Sequence, residues 1–191
     1  MAWSCVKVIV MKELNVIDLD KTLISYDSFK KYVIFFLKNK NCTLKILLLI
    51  ILRKIRLLSL ASFKRKIIEI ARMDERYDEK MKIFSDDLYL EIDDSIKETI
   101  RNYTNNNTIN VLCTASPEDY VKKLAMKMDW LYLCTTLHDD DFVHMYGEQK
   151  VVSIKSKFPK SKYNYNYAIS DSNSDLGLLK LFNYFELLTK N

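Results

Sequence analysis

The sequence predicts an α/β fold: a parallel sheet with helices on both faces, interrupted by an all-helical insertion. Three observations carry this. From Thr108 onward, short apolar runs alternate with helical stretches, the pattern of strands joined by crossover helices. Between the first apolar run and Thr108 lies a long, basic, helical stretch without strand punctuation. Polar clusters close three of the apolar runs: Asp18 with Asp20, Thr114 with Ser116, and Asp171 with Asp175. Ligands of open parallel sheets bind at the carboxyl ends of strands, so this coincidence marks a candidate site.

Leu14 to Leu19 reads as a buried strand. Residues 28–40, 43–60, 63–72 and 75–90 read as helices by length. Residues 91–103 place Ile92, Ile96, Ile100 and Tyr103 on one face, an amphipathic helix. Asn105 to Asn107 is a turn and Thr108 to Thr114 a buried strand. Ser116-Pro117-Glu118-Asp119 is a helix start, with Ser116 as N-cap, Pro at the first helical position and acids in the first turn. Leu131–Leu137 and Phe142–Tyr146 are strands around a turn. Gly147 leads into a helix at about 149–157. Tyr165–Ser170 is a strand, with Tyr163, Tyr165 and Tyr167 along one face. Ser174–Phe182 is a helix and Tyr184–Leu188 a last strand. The division that follows is a core of residues 1–24 and 91–191 with a cap of 25–90 inserted.

Composition narrows the function. Of 191 residues, 49% are apolar and 29% charged, which excludes an unfolded chain and a polytopic membrane protein. There are only 2 glycines, and Gly147 and Gly177 are too far apart for a glycine-rich phosphate loop. The net charge of +5 is mild, and no nucleic-acid partner is expected from it. Its distribution is uneven: Ser25 to Met73 holds 12 basic and 2 acidic residues, whereas Asp74 to Ile100 holds 10 acidic and 4 basic. The first segment is either a solvated helical face or a surface for an anion or anionic membrane. Cys5, Cys42, Cys113 and Cys134 fit no zinc spacing; Cys113 and Cys134 lie in apolar runs and read as core. His138 and His144 read as turn residues rather than metal ligands. Met1 to Val10 lack the features of a secretory signal, so a reducing cytoplasm is the default expectation. Met11 is a second candidate start, which makes residues 1–10 either an extra strand or a translation-start artefact.

Asp18 and Asp20 stand two apart at a strand end. Two close carboxylates do not both stay ionised without a cation, so the pair points to a Mg²⁺ site, an acid/base split, or simple helix capping. Four segments together resemble the haloacid dehalogenase superfamily. Asp18-Leu19-Asp20-Lys21-Thr22 is similar to its DxDxT motif. The apolar strand ending in Thr114 resembles its second motif, Lys150 its third, and Asp171-Ser172-Asn173-Ser174-Asp175 its DxxxD fourth. The order is right, and the insertion lies between motifs one and two, where that superfamily places a cap. The resemblance implies a Rossmann-like core and an aspartyl-phosphate mechanism. Asp18 would be the nucleophile and Asp20 the general acid and base. Mg²⁺ would be held by Asp18, the Asp20 main-chain carbonyl and Asp171. Thr114 and Lys150 would bind the phosphoryl group, with Asp175, Thr22 and Ser116 in support. Lys21 stands where many relatives carry Gly.

Within the superfamily the chain resembles the phosphoserine-phosphatase-like branch (subfamily IB), and there the phosphatidylglycerophosphatase C family. The shared features are Asp27-Ser28-Phe29, an apolar and basic cap helix, and an SDSN-type fourth motif. Ile46 to Leu52 are seven apolar residues in a row, far short of the ~20 that span a bilayer. Three readings follow. The first is a Mg²⁺-dependent phosphomonoester hydrolase for a lipid-linked or amphiphilic phosphate, cytoplasmic with peripheral contact on an anionic inner membrane face through the basic cap. The second is a soluble phosphatase of a small metabolite such as phosphoserine. The third is a non-catalytic basic module binding membrane or RNA, which would have no use for a nucleophile and acid pair.

Overall fold

The computed structural model describes residues 11–38 and 40–188, without the side chains of residues 40–42. The expectations placed on residues 1–10 and on the Cys42 thiol lie outside this range. Six strands form one sheet: β1 (Lys12–Ile17), β2 (Thr108–Pro117), β3 (Leu131–His138), β4 (Asp141–Val143), β5 (Tyr163–Ser170) and β6 (Tyr184–Leu187). Their order is β4-β3-β2-β1-β5-β6. Pairing is parallel except at one edge, where β4 folds back antiparallel on β3. The expected parallel sheet is present, and the turn expected after Leu137 makes this one edge antiparallel. The short turn before Asp141 leaves no room for the crossover that a parallel partner needs.

The sheet is covered by helices, and β1 lies at its centre. From β1 the chain builds outward to β2 and β3, then returns through α7 (Glu148–Lys157) to put β5 on the other side of β1. The carboxyl ends of β1, β2 and β5 therefore border the switch point, where open sheets take their ligands. Side chains alternate between two cores. Leu14, Val16, Val111, Cys113, Tyr165 and Ala168 pack on one face with α7. Ile17, Leu112, Tyr167 and Ile169 pack on the other, with α6 (Glu118–Lys127) and the helical insertion. Burial on both faces explains why these strands read as apolar runs.

One expectation fails on that alternation. Tyr163 and Tyr165 face one core and Tyr167 the other. The register slips between Leu14–Tyr165 and Asn15–Tyr167, a bulge that leaves Asn166 unpaired and reverses the phase. Asn166 instead donates its Nδ2 to Asn15 Oδ1 at 3.0 Å and to the Tyr103 carbonyl at 2.9 Å.

The insertion comprises α1 (Ser28–Leu37), α2 (Lys40–Lys54), α3 (Leu60–Arg72) and α4 (Tyr77–Leu90), and α5 (Asp94–Asn102) leads into β2. The single helix expected over 43–60 is broken after Lys54. Arg56 takes a left-handed φ of 62°, and Ser59 caps α3 by accepting the Ser62 N–H at 3.0 Å. The helix expected from residue 91 begins at Asp94, because Asp93 Oδ1 accepts from Ser95 N at 2.8 Å. The helix expected over Ser174–Phe182 is a 3₁₀ turn at Asn173–Asp175 followed by one turn, α8 (Leu176–Leu179). The insertion shares a core with the sheet: Tyr120 of α6 meets Tyr32 at 5.6 Å and Phe84 at 5.0 Å between ring centroids. Each such buried aromatic contributes about 1.5–3 kcal/mol.

Candidate active site

Asp18 follows β1 directly, and its N–H continues the ladder to the Ile169 carbonyl at 3.0 Å. The residue is only 7% exposed. Lys150, the third residue of α7, reaches across to it: Nζ donates to Asp18 Oδ1 at 2.8 Å and to Asp175 Oδ2 at 2.7 Å. Ser170 Oγ donates to the same Asp175 oxygen at 2.7 Å. Burial pushes Asp18 up to about 7 against the pull of Lys150, with Asp175 and Asp20 adding to the rise. Burial alone would lower Lys150, but the Asp18 and Asp175 carboxylates outweigh it and hold its ammonium above the ordinary lysine value. One cation is shared by two buried carboxylates, which leaves the site short of positive charge.

Asp20 occupies a different environment. Its Oδ1 accepts the Ser28 N–H at 2.6 Å, the first free amide of α1. Its Oδ2 accepts from Ser116 Oγ at 2.7 Å. Because Ser116 spends its proton on Asp20, it accepts from Ser28 Oγ at 2.9 Å, and Ser28 in turn accepts from Tyr120 OH at 2.9 Å. A relay from Tyr120 through Ser28 and Ser116 thus ends on Asp20. Burial raises the Asp20 pKa, and the hydrogen bonds from Ser28 and Ser116 restrain the rise. This corrects the reading of Ser116 as an N-cap. Strand β2 runs on to Pro117, which holds the N-cap position with no side-chain bond. A charge-assisted bond to Asp20 outcompetes a neutral cap.

Asp18, Asp20, Thr114, Lys150, Asp171 and Asp175 all line one cleft of about 250 Å³. Thr114 Oγ1 accepts the Ser116 N–H at 3.2 Å, which leaves its own O–H for the cleft. Thr22 is not in the cleft wall; its Oγ1 accepts the Asp171 N–H at 2.9 Å and ties the β1 and β5 loops together. Lys21 turns through a left-handed φ of 57°. That conformation costs a residue with a Cβ about 1–2 kcal/mol and suits Gly.

Lys64 was not foreseen. It projects from α3 into the cleft, is 6% exposed, and donates Nζ to the Ala115 carbonyl at 2.7 Å. Burial lowers its pKa, while Asp20 and Asp27 pull the other way. Periodicity could have found it, since Lys64 lies on the helix face of Phe63, Ile67, Ile68 and Ala71. Ser28 appeared in the sequence only as part of Asp27-Ser28-Phe29, and its bond to Asp20 carries no local signal.

The oxygen-only set of Asp18 and Asp171 suits a hard cation. Among the described residues no group of three or more His, Cys, Asp or Glu side chains could hold a metal, so two carboxylates would need main-chain oxygen to complete a site. Cys113 and Cys134 are free and buried, as expected. His138 is exposed, 3.2 Å from Glu118. His144 departs from the turn expected: it stacks between Phe142 and Tyr146, and its Nε2 is buried without a hydrogen-bond partner. Burial, then Lys64, lowers its pKa from 6.5 to about 4. The unfolded chain therefore binds a proton between those values that the folded chain refuses. Resistance to urea is expected to fall as pH drops from 6.5 towards 4, and His144→Gln is expected to flatten that part of the profile.

The fold recurs among solved structures. A protein with unknown function from Bordetella pertussis Tohama I shares 16% identity over 92% of this chain and 89% of its own, with a TM-score of 0.75. Cytosolic 5′-nucleotidase IIIB bound to cytidine shares 11% over 92% and 72%, with a TM-score of 0.56. A phosphoserine phosphatase in its apo form shares 12% over 91% and 84%, with a TM-score of 0.50. No curated protein matches the sequence. At these identities the likeness is one of fold. The sequence itself goes further: the haloacid dehalogenase-like hydrolase model matches residues 16–180, nearly the whole of the described sheet and insertion, and the chain belongs to that family.

Proposed function

We propose that this chain is a Mg²⁺-dependent phosphomonoester hydrolase working through an aspartyl-phosphate at Asp18. The observation that carries the reading is the split between two carboxylates two residues apart. Burial raises both, but their partners differ: Asp18 is pinned by a lysine, whereas Asp20 ends a hydroxyl relay. Environments that separate two acids in this way assign them different roles. Asp18 Oδ attacks phosphorus while the bond from phosphorus to the ester oxygen breaks, and Asp20 gives its proton to that oxygen. Asp20 then takes a proton from a water, which attacks phosphorus and frees both phosphate and the Asp18 carboxylate. Thr114 and Lys150 hold the phosphoryl oxygens, and Asp175 orients Lys150. Ser28, Ser116 and Tyr120 fix the direction in which Asp20 delivers its proton.

The cleft wall holds five carboxylates (Asp18, Asp20, Asp27, Asp171, Asp175) against three lysines (Lys21, Lys64, Lys150), before any phosphate enters. That imbalance, with the unpartnered buried Asp175 Oδ1, supports a divalent cation held by Asp18, Asp171 and the Asp20 carbonyl. Bound there, Mg²⁺ would offset the repulsion between carboxylate and phosphate.

The cleft favours a compact, charged substrate. It is smaller than the ~300–1,000 Å³ common for ligand sites, and Asp27 and Lys64 add both signs of charge to its wall. The fold shared with a phosphoserine phosphatase and a nucleotidase supports the same class. An amphiphilic phosphate is the second reading, favoured by Leu60, which is 40% exposed at the cleft. Phosphate release from an aryl phosphate is expected to stop in EDTA and return with Mg²⁺. Asp20→Asn is expected to slow it about 10²–10⁴-fold, and alkyl phosphates more than aryl phosphates, because their leaving oxygen needs the proton more. Metal-independent turnover, or equal losses on both ester types, would count against these roles. A panel of phosphorylated serine, sugars, nucleosides and lipids then separates the substrate classes.

A further inference from the structure

We propose that the outward face of α2 is a docking surface for an anionic lipid bilayer. From Ile46 to Leu52 helix α2 is apolar all round: Ile46 and Leu49 are buried beneath it, yet Leu44, Leu47, Leu48 and Ile51 are 44–80% exposed, as is Ile55 just past its end. These five recur at spacings of three and four, so they form one outward stripe rather than scattered surface residues. At about 100° per residue, exposed Lys45 and Lys54 fall on opposite flanks of that stripe. Exposed Arg56 and Leu57 extend it towards Leu60 and the mouth of the cleft.

Charge decides what covers this face. From Ser28 to Ile68 the chain contains no Asp or Glu. A second copy meeting the stripe about a two-fold axis would bring the same lysines against each other, a like-charge contact without relief. An anionic lipid surface supplies the opposite charge together with an apolar layer for the leucines. No helix among the described residues is long and apolar enough to cross a membrane, so the contact is peripheral. The inference rests on α2 alone and stands apart from the phosphatase reading.

Sedimentation of the full chain with vesicles tests it. Binding is expected to phosphatidylcholine vesicles holding about 30% phosphatidylglycerol, to weaken with salt, and to be slight on phosphatidylcholine alone. The triple variant K45Q/K54Q/R56Q is expected to reduce partitioning roughly 100-fold, and L48E/I51E to abolish it. The altered side chains are exposed, so melting should be unchanged. If L48E/I51E shifts the melting profile, L44S/L48S replaces it with the same expected release. Absence of binding to the anionic vesicles, equal binding to neutral ones, or indifference to these substitutions would overturn the proposal. So would a lipid-free dimer that L48E/I51E dissociates and that does not bind vesicles. Phosphate release from a soluble aryl ester, measured on the same samples, reports the catalytic reading separately.

Discussion

Asp18→Asn is expected to lose phosphate release by a factor on the order of 10⁴–10⁶, as loss of a nucleophile does when the remaining groups act only around it. The fold should not suffer. Asn keeps an oxygen to accept from Lys150, and the change removes one of the two buried carboxylates that share that cation. Melting at pH 7 is therefore expected to stay level or rise. That combination separates a chemical role from a structural one: a variant that melts early would show that Asp18 holds the site together, and an active one would remove it as the nucleophile.

Lys150→Met is expected to damage both activity and stability. Asp18 and Asp175 are 7% and 2% exposed, and among the described residues no other side chain forms an ion pair with either. Removing one partner of a buried ion pair costs about 3–5 kcal/mol. For a chain of this length that lowers the melting temperature by roughly 10 °C. Burial, no longer opposed by Lys150, then makes the Asp18 carboxyl bind a proton more readily in the folded state than in the unfolded one. Its penalty grows as pH rises and shrinks as pH falls. The gap in melting temperature between Lys150→Met and the parent chain should thus be widest near pH 8 and narrow towards pH 5. A gap that does not change with pH would mean that Lys150 stabilises through its packed stem rather than its charge.

The strand ends were legible because each is local. Apolar runs closing on Asp18, Thr114 and Asp171 state both the strand and its polar tip within a few residues. That the sheet gathers these tips with Lys150 in one cleft follows from parallel topology, which sequence periodicity already implied. What failed was long-range. Ser116 has the sequence of a cap, and only Asp20, 96 residues away, diverts its hydroxyl. Lys64 reads as one of many basic residues until α3 turns it inward. The bulge at Asn166 leaves no trace in the alternating tyrosines, because it depends on Asn15 and Tyr103. The break after Lys54 was hidden by the apolar residues that continue through Ile55 and Leu57, which an exposed face does not need to interrupt.

A covalent phosphate on Asp18 can be measured directly. The full chain, mixed with a ³²P-labelled phosphomonoester and Mg²⁺ and quenched in acid within one turnover, is reduced with borohydride, digested and mapped by mass spectrometry. The label is expected to be lost to alkali before reduction, and homoserine to stand in place of Asp18 after it, with neither seen in Asp18→Asn. Phosphate released at full rate with no modified residue at position 18, or with the label on another side chain, would contradict it.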